Sequence, residues 1–357
     1  MNRQPSSYNR RLPIEIMIQY NRAFHWYTVF VWCCTVLLLV AGGLVTSTGS
    51  GLAVPDWPLS YGQVMPPMVG GIFFEHGHRM IASFVGFLTV ILTVWTMKVE
   101  GRRWVRWISV AALVAVILQG LLGGLTVYLL LPPAISASHA TLAQTFFCLV
   151  ASLAFFTSRW WLSHGASELS IPRNTARVVV ITLAAVYVQL ILGSIMRHTD
   201  SGLAVPDFPL AYGQIIPSLS SESLVNYNQQ LIRSDLRLAA DGAIERNQII
   251  IHMLHRFWAV VTSLCVILSA VRLWGLGGIS PRFKSLSVLM IATVILQFSL
   301  GALTVLTHKS VEIATAHQTV GALLLVSVVL SALHVYRIAP ARLNSESLPM
   351  NGEEVVA

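Results

Sequence analysis

Two short stretches carry the side chains best suited to chemistry: EHGHRM at residues 75–80 and HMLHRF at 252–257. Each sets a histidine–arginine pair behind another polar residue, Glu75 in the first copy and His252 in the second. Residues i and i+3 share a helix face. Glu75 would thus stand one turn above His78, and His252 one turn above His255. Two further histidines, His139 and His317, open later apolar runs. An imidazole can ligate a metal, relay a proton or donate a hydrogen bond. A carboxylate beside it can act as a base or stabilise a developing cation. An acid near a helix N-terminus is also favoured by the macrodipole alone.

The elements that position these groups lie in a membrane. The 357 residues are 55% hydrophobic and 11% charged, where soluble domains carry roughly 25% charged residues. Eight apolar runs approach the ~20 residues needed to cross a bilayer, at about 26–47, 77–97, 105–130, 140–160, 176–197, 253–273, 285–307 and 315–336. The long loops, about 48–75 and 198–251, follow the first and fifth runs. Within the second loop, NQQLIRSDLRLAADGAIERNQ reads as a short surface helix. The polar, basic start lacks the apolar core of a signal peptide. The net charge of +8 is a topology signal and not a nucleic-acid one. Sixteen of the 23 Lys and Arg fall in the tails and in the 2–3, 4–5 and 6–7 connections, and none in loop 48–75. The positive-inside rule puts both termini in the cytoplasm.

The chain is built twice. GSGLAVPDWPLSYGQVMP (49–66) returns as DSGLAVPDFPLAYGQIIP (200–217), shifted by 151, and LQGLLGGLTV (118–127) returns as LQFSLGALTV (296–305), shifted by 178. The difference is an insertion of about 26 residues in the 5–6 loop. His78 maps onto His255 and His139 onto His317. Both halves begin on the same side, so the repeat is parallel. The expected fold is an all-α integral membrane protein, eight transmembrane helices as two four-helix bundles. The expected parts are a cytoplasmic tail (1–25), an N-terminal bundle (26–161), a C-terminal bundle (176–337) and a second cytoplasmic tail (338–357).

By that topology His78, His139, His255 and His317 all lie near the extracytoplasmic helix ends. One inward histidine on each of two helices is the arrangement that ligates a haem iron axially; an interhelical hydrogen bond is the plainer role. Two histidines without further ligands make a poor zinc site. The glycines of QGLLGG and LGA admit either a flat cofactor or close helix packing. Arg79 and Arg256 can neutralise a porphyrin propionate or snorkel to lipid phosphate. The other histidines, His25, His76, His164, His198, His308 and His334, lack repeat counterparts and read as solvated or interfacial, with His76 nearest the cluster. Cys33, Cys34, Cys148 and Cys265 read as buried small hydrophobes. Asp56 and Asp207, in the repeated VPD turns, read as turn formers.

E-x-x-H-R opening the second span, H-x-x-H-R opening the sixth, a histidine opening the fourth and eighth, and the GLAVPDWPLSYGQ loop together resemble the haem A synthase family over about residues 25–337. That family oxidises the C8 methyl of haem O to a formyl group by successive hydroxylations, giving haem A for haem-copper oxidases. The resemblance implies that His78 and His139 bracket haem O, that Glu75 is the catalytic carboxylate, and that His255 and His317 ligate a haem b cofactor. It also implies a haem O synthase and an electron-transfer partner, a lipid environment, no nucleic acid and room for a homo-oligomer. The expected location is a bacterial plasma membrane, with the mitochondrial inner membrane as the alternative. Some members carry a cysteine pair in the first outer loop; residues 48–75 here contain no cysteine. The competing readings are a di-haem cytochrome b-like electron carrier and a transporter with histidine proton relays.

Overall fold

The computed structural model describes residues 20–164, 171–236 and 242–338. Eight long helices are apolar enough to cross a membrane: α1 (Arg22–Ser47), α2 (Gly70–Val99), α3 (Arg103–Tyr128), α4 (Pro133–Phe156), α6 (Arg173–His198), α8 (Arg246–Trp274), α9 (Pro281–Leu306) and α10 (Val311–Ile338). Two shorter helices are α5 (Arg159–Ser163) and α7 (Ser221–Arg233). Among the described residues the only β-type pairings are isolated bridges in the two repeated loops. The chain is a multi-pass membrane protein. In lipid every backbone polar group needs an internal partner, which only helices and closed barrels supply.

Helix starts follow local chemistry. Asn21 caps α1 by accepting the Phe24 N–H at 3.0 Å. Pro133 and Pro281 occupy first-turn positions of α4 and α9, where the missing N–H costs nothing. Glu245 and Gln248 form a capping box at α8. The helices begin earlier than the apolar runs do. Hydropathy stops at Glu75 and at His252, but the helical hydrogen bonding continues to Gly70 and Arg246. His78, His139, His255 and His317 lie eight, six, nine and six residues inside their helices, roughly 9–14 Å at 1.5 Å per residue. They do not sit in first turns. The surface helix also differs from its expected place. It is α7, capped by Ser220, so it starts before the stretch read from sequence. Residues 237–241 of that stretch lie outside the described residues, as do most of the two tails.

Each half closes on itself: α1 packs on α2 and α4, and α3 on α2 and α4, while α6, α8, α9 and α10 form the matching ring. The halves meet where α1 and α4 touch α10 and α4 touches α6. The best window of α10 is 56% buried, against 22% for α3, so α10 is the shared wall. Leu37, Phe87, Trp107 and Val271 are exposed on the outside, as lipid-facing side chains are. Arg102 donates to the Phe156 carbonyl and Arg337 to that of Trp161, gathering the basic residues at one end. The repeated loops lie at the other, called here the loop end.

The repeated loops are near copies. Asp56 accepts N–H groups of Tyr61 and Gly62 at 2.7 and 2.8 Å, and Asp207 those of Tyr212 and Gly213 at 2.7 and 2.9 Å. Both aspartates are turn formers. They hold a tyrosine at φ +53 in each loop, a conformation that costs a non-glycine residue energy. The Gly62 N–H is the main reason the Asp56 carboxyl lies below its ordinary 3.8. One pair has changed in step. The Trp57 ring lies so close to Gly124 that a Cβ there would meet it at 2.8 Å. The counterparts are Phe208 and Ala302, a smaller ring and a larger residue at the matching positions. Gly124→Ala is therefore expected to lower thermal stability by roughly 1–3 kcal/mol through overpacking. Adding Trp57→Phe should recover much of it in a thermal melt, and additive losses would refute the pairing.

Candidate functional site

The site begins with two guanidiniums. Arg79 Nη1 donates to the carbonyls of Asp56 at 2.7 Å and Leu59 at 2.9 Å, and Nη2 to that of Val54 at 3.3 Å. Arg256 does the same to Asp207 at 2.6 Å, Leu210 at 2.9 Å and Val205 at 3.2 Å. These acceptors are repeat counterparts. Each arginine reaches back over its own helix and pins the preceding loop across the helix ends. Neither a propionate nor a lipid headgroup is needed to hold it there.

The residue one turn earlier completes each clamp. Glu75 is buried; one carboxylate oxygen takes Arg79 at 2.5 Å and the other accepts the Val54 N–H at 2.7 Å. In the second half Arg256 Nε donates to His252 Nε2 at 2.9 Å, and His252 Nδ1 donates to the Ser201 carbonyl at 2.9 Å. Arginine only donates, so His252 Nε2 must be unprotonated and the ring neutral. The exchange of Glu75 for His252 thus turns an accepted loop contact into a donated one. It also leaves the second clamp without a carboxylate on its own helix, with Asp207 of the loop as the nearby negative charge.

Beneath the clamps, each of the four matched histidines rests against a glycine on the preceding long helix. A Cβ on Gly42 would meet His78 at 3.0 Å, on Gly123 His139 at 3.3 Å, on Gly193 His255 at 3.0 Å and on Gly301 His317 at 3.0 Å. Gly42 and Gly193 are related by the shift of 151, Gly123 and Gly301 by 178. Gly123, Gly124 and Gly301 therefore admit an imidazole or a neighbouring ring, which is close packing, while Gly120 has open space on the cavity wall. Gly42 and Gly193 went unread in the sequence, although extending the 151-residue shift a few positions upstream aligns them.

All four histidines, with Glu75, line one cavity of about 1710 Å³ that runs through both halves. That exceeds the roughly 300–1,000 Å³ of one small-molecule site. His317 Nδ1 donates to the Gln297 carbonyl at 3.2 Å. Nδ1 of His78 and of His139 lacks a partner at hydrogen-bonding geometry, and both rings line the cavity. A carbonyl at Nδ1, as in His317, fixes the tautomer whose Nε2 lone pair is free. In the second half the Gln189 amide lies 3.2 and 3.3 Å from the two ring nitrogens of His255. The Gln297 amide lies 3.5 Å from His317 Nε2. Among the described residues no three His, Cys, Asp or Glu side chains converge as a metal-binding group. A pair of neutral imidazoles on a large apolar cavity fits a porphyrin iron, whose ring supplies the remaining ligands.

The other histidines divide. His76 is buried, with Nδ1 2.7 Å from Ser60 Oγ. His334 is 1% exposed and stacks on Trp160 with centroids 3.9 Å apart. His198 lines the cavity. The solvated reading does not hold for these three. Position at a span end says little about burial when α10 runs on to Ile338 among aromatic rings. All four cysteines are free, and Cys33 faces outward, unlike the buried Cys34.

Gly301→Ala and Gly193→Ala are expected to displace His317 and His255 by a few tenths of an ångström and to weaken ligand absorbance of the purified protein. Gly120, one turn from Gly123, has open space around its Cβ position. Gly120→Ala should be neutral, or stabilising by up to about 1 kcal/mol. Equal effects at Gly120 and Gly301 would refute the glycine seats.

Residues 68–329 match the family described as COX15-CtaA, cytochrome oxidase assembly protein. The chain is 30% identical to "Heme A synthase" of Alkalihalophilus pseudofirmus over 59% of this chain and 72% of that one. It is 28% identical to the protein of that name from Halalkalibacterium halodurans, over 81% of this chain and 89% of the relative. It is 26% identical to that of Shewanella oneidensis, over 85% and 94%. With the duplicated histidine frame, these matches establish that the chain belongs to the haem A synthase family, the COX15-CtaA cytochrome oxidase assembly proteins.

Proposed function

We infer that the chain is an oxidoreductase that converts haem O to haem A, oxidising the C8 methyl of the porphyrin to a formyl group. The observation that carries this reading is the asymmetry of a duplicated site. Two histidine pairs face one cavity, but a carboxylate stands over only one of them. His78 and His139 hold the substrate haem O in the N-terminal half. His255 and His317 hold a haem b in the C-terminal half. When bound, that haem b supplies one-electron redox chemistry.

The protein's own groups orient and screen. The clamps of Arg79 and Arg256 close the loops over the helix ends and keep water from the cavity. Glu75 stands one turn above His78, so an acceptor for a proton lies on the same helix face as the iron ligand. Its clamp contacts, the Val54 N–H and Arg79, fix where that oxygen pair sits. The enzyme works in a bacterial plasma membrane with both termini cytoplasmic. Haem O comes from a prenyl-transferring haem O synthase, and electrons leave through a separate partner.

One observation favours a second reading. Both oxygens of Glu75 are engaged by the clamp, just as both nitrogens of His252 are, which is what two equivalent electron-carrying halves would show. Expression with a haem O source, followed by mass analysis of extracted haems, separates the two. Wild type should yield hydroxylated and formylated haem. Glu75→Gln should retain haem and lose conversion by roughly 10²-fold or more. Full conversion in Glu75→Gln removes Glu75 from the chemistry. Unchanged haem O from a folded, haem-loaded wild type supports the carrier. His255→Ala and His317→Ala should each lose one haem per chain.

A further inference from the structure

The two halves differ in charge where they meet. Arg197, in the last turn of α6, has Thr46 as its repeat counterpart. Its guanidinium reaches out of its own half. Nη1 donates to Gln318 Oε1 at 3.0 Å, and Nη2 to Ser47 Oγ at 2.6 Å and the Gly43 carbonyl at 3.2 Å. None of these acceptors is anionic. Among the described residues the Arg–carboxylate ion pairs are Glu75–Arg79 and Glu100–Arg102. Arg197 therefore lines the cavity as a cation without a carboxylate partner. Such a residue within a membrane span is costly and is usually retained for function.

Its surroundings give that charge a target. Gln318 is the neighbour of His317 in the chain, and Arg197 interacts electrostatically with His317 itself. Thr46 on the other side is exposed and donates back to the Gly42 carbonyl of its own helix. The clamps add to the imbalance. Glu75 pairs directly with Arg79, whereas Arg256 bonds a neutral His252 and has only the Asp207 charge nearby. A fixed positive charge in a low-dielectric site favours whichever state of a neighbour is the more negative, and screening by water is weak there. For an iron ligated by His317, that is the ferrous state, which holds one electron more than the ferric.

We propose that Arg197 sets the redox poise of the C-terminal half, its guanidinium holding a haem bound by His255 and His317 at a higher reduction potential than one bound by His78 and His139. This rests on the haem assignment made above. Arg197 is a positioning and tuning residue, acting through His317 and the seam and not on the reacting methyl.

The test is an optical redox titration of the purified, haem-loaded full chain with one-electron mediators. Comparison with His255→Ala identifies the C-terminal haem. Arg197→Gln should shift the ferric–ferrous equilibrium of that haem at least tenfold toward ferric, a midpoint 59 mV or more lower for one electron. Arg197→Lys keeps the charge and should keep most of the midpoint. Ser47→Ala removes a seam hydrogen bond but no charge, and should leave it unchanged. Should Arg197→Gln fail to fold, Thr46→Arg places the cation on the other half and should raise the midpoint of the haem held by His78 and His139. An unshifted midpoint in Arg197→Gln overturns the proposal, as does a shift in Ser47→Ala equal to that in Arg197→Gln. If Arg197→Gln does not fold, an unshifted midpoint in Thr46→Arg overturns it. A purified chain without haem absorbance, or absorbance indifferent to His255→Ala and His317→Ala, would instead defeat the haem assignment.

Discussion

Arg79 and Arg256 each bond three carbonyls of the loop that precedes their helix. A loop folded across the end of a helical bundle presents carbonyls with neither ladder nor helix to satisfy them, and burying them unpaired costs about 1–3 kcal/mol each. One guanidinium satisfies three at once because its donors fan out in a fixed plane. The rest of the site depends on this. With the loop pinned, Glu75 and His252 find their loop partners, and Trp57 and Phe208 are set against α3 and α9. The arginine is i+4 from the polar residue and i+1 from the histidine, so one helical turn carries clamp, clamp partner and candidate ligand.

Duplication makes the physics readable, because unchanged positions show what the frame requires and changed ones show what each half does. The glycine–imidazole contacts are kept four times over, so a histidine at that depth needs a neighbouring helix without a Cβ. Trp57 with Gly124 and Phe208 with Ala302 conserve the filled volume while exchanging its parts, as dense packing demands. The changes that alter charge on the cavity lining include Glu75 for His252, Thr46 for Arg197, Gly49 for Asp200 and Leu131 for Lys309. The 26-residue insertion adds α7, whose Tyr227 stacks on Tyr212 at 3.7 Å. Tyr61, the counterpart of Tyr212, is 52% exposed. The loop tyrosine is thus packed in the C-terminal half and exposed in the N-terminal half.

Much of this was legible in the sequence. Eight apolar runs gave eight spanning helices, and the matched histidines do face one cavity. Helix starts were not legible, because hydropathy reports transfer to lipid while the helix is set by backbone hydrogen bonds. Polar residues such as Glu75, Gln248 and His252 lie inside helices but outside apolar windows. Arg79 and Arg256 were visible as residues, but their partners are backbone carbonyls, which no side-chain pattern reveals. Arg197 was hidden for the opposite reason: it ends a span, where sequence alone does not separate a buried cation from a flanking one. Only the packing of α1 against α10 shows that its end of α6 is interior.

That packing also bears on how two sites in one chain can work together. The halves share α10 as a wall, and Ser47 of α1 accepts from both Arg197 and Thr315. The α1 helix that seats His78 on Gly42 is therefore bonded, one and five residues later, to the group that faces His317. A displacement at one histidine pair has a short, rigid route to the other through backbone and guanidinium. The same contacts place the seam charge between the two pairs, with two hydrogen bonds to α1 and one to α10. A single arginine thereby joins the halves mechanically and distinguishes them electrically. Two symmetrical bundles that only needed to pack could join through neutral residues like Thr145 and Tyr187, whose hydroxyls lie 2.7 Å apart across the same boundary. An uncompensated cation is the more expensive joint, and its cost is understandable where the two sites must differ in their hold on an electron.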